Sequence, residues 1–145
     1  MAHEAELKAL TGYLEKNHLK QTKQRELILH SFLAANRHLT SEDLYQTVRE
    51  EYPNIGYTTV YRTMKLLVEA GLAAERHFDD GITRYEVEQG HHDHLVCIEC
   101  GKIQEFGSSE IEEIQNEIAR RHSFRIKRHR HELYGHCSSC QDEAP

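Results

Sequence analysis

The chain has 145 residues, 38% hydrophobic and 29% charged, with no Trp and 2 Pro, which fits one ordinary domain or two small ones and excludes a large barrel or a two-domain dehydrogenase. No apolar run approaches the roughly 20 residues of a membrane helix, and the acidic start Met1-Ala2-His3-Glu4-Ala5-Glu6 lacks a signal-peptide layout, so a cytoplasmic protein without membrane contact is expected. The net charge of −6 argues at first sight against a nucleic-acid partner.

The first half reads as helices. Ala5 to Asn17 carries Leu7, Leu10 and Leu14 at helical spacing. Thr22 is a good N-cap for a second helix ending near Asn36, with Leu27, Ile28, Leu29, Phe32 and Leu33 inward. Thr40-Ser41-Glu42-Asp43 starts a third, closed by Pro53. Gly56 precedes a fourth, Tyr57 to Ala70, with Val60, Met64, Leu67 and Val68 as its buried stripe and Gly71 fitted to its C′ position. Its other side carries Thr58, Thr59, Tyr61, Arg62 and Lys65. Two strands follow, Leu72–Phe78 and Ile82–Val87, joined by Asp79-Asp80-Gly81. Helices followed by such a hairpin are the winged-helix arrangement of a helix-turn-helix DNA reader.

The second half reads as α+β. Leu95–Ile98 and Lys102–Phe106 are strands around a Cys-turn-Cys. Ser108 or Ser109 caps a helix to about Arg121, with Ile111, Ile114 and Ile118 inward, and Phe124–Tyr134 is a last strand. The boundary is set at residues 1–87 and 88–145, with a hinge at about 86–91 around Glu88-Gln89-Gly90. Residues 1–84 hold 11 basic and 12 acidic side chains, a net of −1, whereas residues 85–145 hold 7 and 12, a net of −5. The acid excess therefore lies where metal ions would offset it.

All 4 Cys and seven of the 12 His fall in that second half. Cys97-Ile98-Glu99-Cys100 and Cys137-Ser138-Ser139-Cys140 are two Cys-x-x-Cys knuckles, a tetrahedral thiolate set suited to structural Zn²⁺. A cytosolic setting disfavours the alternative of stable disulfides, and the context of a redox dithiol is missing. In His91-His92-Asp93-His94, an extended backbone turns His92 and His94 one way and His91 and Asp93 the other. One strand can then feed two metal sites, with His38, Glu86, Glu105, Glu112 and His129 as further donors. Mixed nitrogen and oxygen sets suit Fe²⁺, Mn²⁺, Co²⁺, Ni²⁺ or Zn²⁺. His77, His122 and His131 stand isolated and are read as surface or packing residues.

The run from His91 through Cys100 to Lys102 resembles the core signature of the ferric uptake regulator superfamily. Leu19–Arg25, His38–Tyr45, Thr59-Val60-Tyr61-Arg62 and Glu132–Cys137 resemble further family segments, over roughly residues 15–140. The resemblance implies a homodimer, with tetramers left open. Each chain would pair a winged-helix domain with a C-terminal α/β dimerisation domain, acting as a metal-dependent repressor on AT-rich palindromic double-stranded DNA. By resemblance, His38, Glu86, His92, His94 and Glu105 form the sensing site, taking Fe²⁺ with Mn²⁺, Co²⁺ or Zn²⁺ as substitutes. His91, Asp93, Glu112 and His129 form a second site, and Cys97, Cys100, Cys137 and Cys140 hold structural zinc.

Peroxide-sensing relatives tend to have Asp at the positions of Glu86 and Glu105 and Asn at that of Arg62, and zinc-sensing relatives use a Cys among the sensing ligands. This chain is thus most similar to the iron-responsive branch, with those two as alternatives. Arg125, Lys127, Arg128 and Arg130 crowd the strand carrying His129, and their charge would disfavour a cation at the second site. On the recognition helix, Arg62 can read guanine and Tyr61, Thr58 and Thr59 can meet thymine methyls or phosphates. Lys20, Lys65 and Arg76 are phosphate candidates. A zinc metalloenzyme or a metal-storage protein is the competing class. The first lacks a paired nucleophile or base, and both leave the helix-turn-helix half without a role.

Overall fold

A computed structural model of the chain describes residues 3–88 and 91–141. Two compact units emerge, within residues 1–89 and 90–145. Gln89 and Gly90 of the expected hinge lie outside the described residues.

The first unit runs α1 (Glu4–Lys16), α2 (Lys23–Ala35), α3 (Ser41–Glu51), α4 (Tyr57–Glu69), β1 (Ala73–His77) and β2 (Thr83–Val87). Local chemistry sets the helix starts. The Thr22 hydroxyl accepts the Arg25 N–H at 3.2 Å, and Thr40 and Asp43 close a reciprocal capping box at 3.0 and 3.1 Å. After α4 the chain reverses through Gly71 at φ +79°, where a side chain would be strained. Leu10, Leu14, Ile28, Phe32, Val60 and Met64 belong to one closed core. β1 and β2 pair antiparallel with Ala74 opposite Glu86 and Arg76 opposite Arg84. Leu39 adds a bridge to Tyr85 on β2. This is the expected helical bundle with a β-hairpin wing.

The second unit runs β3 (Asp93–Cys97), β4 (Ile103–Phe106), α5 (Ser109–Arg121), β5 (Glu132–Gly135) and a 3₁₀ turn (Ser138–Cys140). The sheet order is β4-β3-β5, antiparallel to β4 and parallel to β5. A parallel neighbour requires a crossover, which α5 and the segment after it supply.

Two expectations are corrected. The last strand covers Glu132–Gly135 rather than Phe124–Tyr134, since pairing to β3 begins only at Glu132. Ile114 and Ile118 are exposed rather than inward, and α5 buries no residue at all. Its apolar positions have helical spacing, but the described residues of the second unit leave Ile114 and Ile118 half or more uncovered.

Candidate metal centres

The four cysteines converge. Cys97 ends β3, and the parallel register places Gly135 opposite it, which delivers Cys137 and Cys140 to the same spot. All four sulfurs lie within 4.8 Å of one another, and none is in a disulfide. The Cys97 Sγ accepts the backbone N–H of Cys100 at 3.5 Å and of Cys137 at 3.4 Å. Those N–H groups pull the Cys97 thiol down to about 6. Cys140 is pushed up to about 12, because it hydrogen-bonds the Cys137 sulfur and is desolvated. At Cys100 the Lys102 backbone N–H favours the thiolate, but protons shared with Cys97 and Cys137 outweigh it and the thiol is raised. Four thiols this close cannot all ionise without a cation among them, and the set fits tetrahedral Zn²⁺.

In the first unit, Glu86 is buried on β2. Leu39 donates to the Tyr85 carbonyl at 2.9 Å and accepts the Tyr85 N–H at 2.7 Å. This pairing brings the preceding His38 against the following Glu86, with Nε2 meeting Oε2. The other carboxylate oxygen, Oε1, accepts the Arg76 Nε–H at 2.6 Å.

In the second unit, β3 presents ligand-type residues on both faces, as alternation requires. His94 stands opposite Glu105 on β4, and His92 joins them, with Nε2 3.5 Å from Glu105 Oε1 and its ring 4.8 Å from that of His94. On the other face Asp93 is 1% exposed, and neither of its carboxylate oxygens has a hydrogen-bond partner among the described residues. His91 Nε2 and His129 Nε2 lie 3.3 and 3.5 Å from Asp93 Oδ1, and the two rings are 4.1 Å apart. Glu112 on α5 comes within 3.5 Å of His91 Nε2. A buried carboxylate that makes no hydrogen bond, with two imidazole nitrogens gathered on one of its oxygens, is a donor set that fits a divalent ion. Arg130, one of the crowding cations, is turned to Glu132 at 2.6 Å.

His131, read as a surface or packing residue, is half-buried against the Phe106 ring, with Nδ1 3.9 Å from Asp93 Oδ2.

On α4, Thr58, Tyr61 and Arg62 are exposed, and Thr59 is half-buried. Tyr61 stacks on Tyr57, whose hydroxyl donates to Glu42 at 2.9 Å. Lys65 and Arg76 do not stand free. Lys65 donates to Glu75 at 2.8 Å and lies over the Tyr61 ring, while Arg76 is held by Glu86. Lys20 is exposed, and its carbonyl accepts from Arg25.

The family model described as the ferric uptake regulator family matches residues 16–134. The chain belongs to the ferric uptake regulator family. It is 42% identical over 130 residues to the ferric uptake regulation protein of Neisseria meningitidis, covering 88% of this chain and 90% of that one. It is 39% identical over 134 residues to that of Escherichia coli, covering 90% of each. Its fold matches a structure of the Helicobacter pylori ferric uptake regulator, described as having three functional metal binding sites. That match has a TM-score of 0.91 and 30% identity, over 100% of this chain and 97% of that one.

Proposed function

We propose that this family member is a metal-dependent transcriptional repressor that binds AT-rich palindromic double-stranded DNA as a homodimer when Fe²⁺, or Mn²⁺ or Co²⁺ in its place, fills a regulatory site. The observation that carries the reading is the division of donors. His38 and Glu86 belong to the unit with the wing, and His92, His94 and Glu105 to the unit with the sheet. Neither set alone completes the four to six ligands such an ion takes. One ion drawing on both sets would bias how the units are arranged, and with them the recognition helices. The cysteines are gathered into their own cluster for structural zinc, so the regulatory donors are nitrogen and oxygen only. That favours an iron-type sensor over a thiolate-dependent zinc sensor.

His91, Asp93, Glu112 and His129 form the second site in this reading. Thr58, Thr59, Tyr61 and Arg62 face DNA from α4, with Lys20 and Lys65 near the backbone and Arg76 reaching it from the wing. The uncovered apolar face of α5 is the homodimer surface.

The test is anaerobic fluorescence anisotropy on an AT-rich palindromic duplex at fixed salt, with zinc kept on the cysteines and Fe²⁺, Mn²⁺ and Zn²⁺ titrated separately. Tight binding switched on by Fe²⁺ or Mn²⁺ supports the reading. Binding indifferent to every metal ends it. By linkage, DNA must tighten metal binding by the factor that metal tightens DNA binding.

A further inference from the structure

Arg76 is a candidate for a DNA phosphate, yet its guanidinium is tied through Nε to Glu86. The Nε–Oε1 distance is 2.6 Å, and Glu86 is 3% exposed, so this is the buried end of the pair. Arg76 itself is 34% exposed and sits on the first strand of the wing, where its head can reach solvent without moving the strand. Glu86 therefore has two cation-seeking oxygens with different partners, His38 at Oε2 and Arg76 at Oε1. A neighbouring pair gives the contrast. Lys65 is held by Glu75, which belongs to no cluster of metal-type donors among the described residues.

Given the repressor reading above, on which this rests, the geometry points to Arg76 as the residue through which the state of Glu86 reaches DNA. While Glu86 lacks a divalent ion, the carboxylate holds the guanidinium. When the carboxylate is shared with a doubly charged ion, its hold on Arg76 weakens and the two cations repel. The guanidinium is then released to a phosphate. Arg76 is thus a positioning residue whose charge is withheld in one state and offered in the other.

Three variants of the full chain test this, Arg76→Ala, Arg76→Lys and Glu86→Gln, each with zinc on the cysteines. Without DNA, Co²⁺ titrated by absorbance should bind Arg76→Ala about threefold or more tighter than wild type, because the ion no longer competes with a guanidinium. A residue that merely braces Glu86 predicts weaker binding. On the AT-rich duplex with saturating Mn²⁺, Arg76→Ala should lose about one unit of salt slope per protomer, and Arg76→Lys should keep it. Without Mn²⁺, Glu86→Gln should gain about one unit per protomer, since the amide holds Arg76 only weakly. Weaker Co²⁺ binding by Arg76→Ala, or unchanged salt slopes in a wild type that still responds to Mn²⁺, overturns the inference alone. A wild type whose DNA binding ignores every metal overturns the repressor reading and the inference with it. If Arg76→Ala does not fold, Arg76→Gln takes its place in both arms.

Discussion

Leu39 and Tyr85 exchange two backbone hydrogen bonds, 2.9 and 2.7 Å long, and that exchange sets His38 against Glu86. The loop before α3 is thereby stitched to the wing. Two candidate ligands 48 positions apart in sequence become adjacent through backbone pairing.

That pair should be necessary for regulation and dispensable for folding. His38→Ala is expected to weaken Fe²⁺ or Mn²⁺ binding at the regulatory site by about tenfold to a hundredfold, the scale at which ligand and supporting groups act. Zinc content should stay unchanged. Metal-dependent anisotropy alongside elemental analysis checks both, and a simultaneous loss of zinc would refute the separation.

Zinc uptake should release fewer than four protons. At pH 7.5 Cys97, held at about 6, is already thiolate and gives none, whereas Cys100 and Cys140 are raised and each gives one. Calorimetry of the zinc-free protein in buffers of different ionisation enthalpy counts them. A count of four would mean that the Cys100 and Cys137 N–H groups do not stabilise the Cys97 thiolate.

Ile118→Glu should separate the protomers. Ile118 is 50% exposed on a helix that buries none of its residues fully among the described residues. A charge placed there should raise the dimer dissociation constant by about thirtyfold or more, the effect of losing one strong interface anchor. Sedimentation velocity against concentration reads it, and an unchanged dimer would move the interface elsewhere.

Asp93→Asn should abolish the stabilisation that a divalent ion gives at the second site. The wild-type carboxylate is buried with the His91, His129 and His131 nitrogens 3.3, 3.5 and 3.9 Å away, and an amide in its place offers an ion no charge to meet. Mn²⁺ should then raise the melting temperature of a His38→Ala protein but not of the His38→Ala, Asp93→Asn double variant. Equal Mn²⁺ responses would show that Asp93 is not a ligand.

The wing turn carries a small pH dependence. Arg84, at 2.8 Å, and the Ile82 N–H hold the Asp80 carboxyl below its usual range. The folded value is lower than the unfolded one. The contribution is therefore present above the unfolded value near 4 and is lost as pH falls through the lower folded value. Partial exposure and screening limit it to about 0.5 kcal/mol. Asp80→Asn should lower stability by that amount at pH 7 and by progressively less as pH falls below the unfolded value, measured by urea unfolding.

The sequence carried the cysteine cluster and the two-faced strand openly. Cys-x-x-Cys spacing and the alternation of His91 to His94 are local patterns, and the fold keeps both. The hairpin too was written locally, in Asp79-Asp80-Gly81. What was hidden depended on register or on missing neighbours. Arg76 meets Glu86 only because Ala74 pairs with Glu86, which puts Arg76 two residues along the opposite strand. His131 reaches Asp93 only because its carbonyl takes the His94 N–H at 3.1 Å, where the chain enters β5. Ile114 and Ile118 have the spacing of core residues, and spacing cannot say whether the cover comes from the same chain.

The two cysteine knuckles stand at the ends of a 36-residue excursion that holds β4, α5 and β5. An ion bound between them turns that excursion into a closed ring, with the loop entropy of the ring already spent. Glu112 and His129 both ride on it, while His91 and Asp93 lie outside it on the approach to the first knuckle. Stripping zinc would therefore slacken Glu112 and His129 beside Asp93 without touching a single shared ligand. The two ions would rise and fall together, tied by chain topology rather than by chemistry.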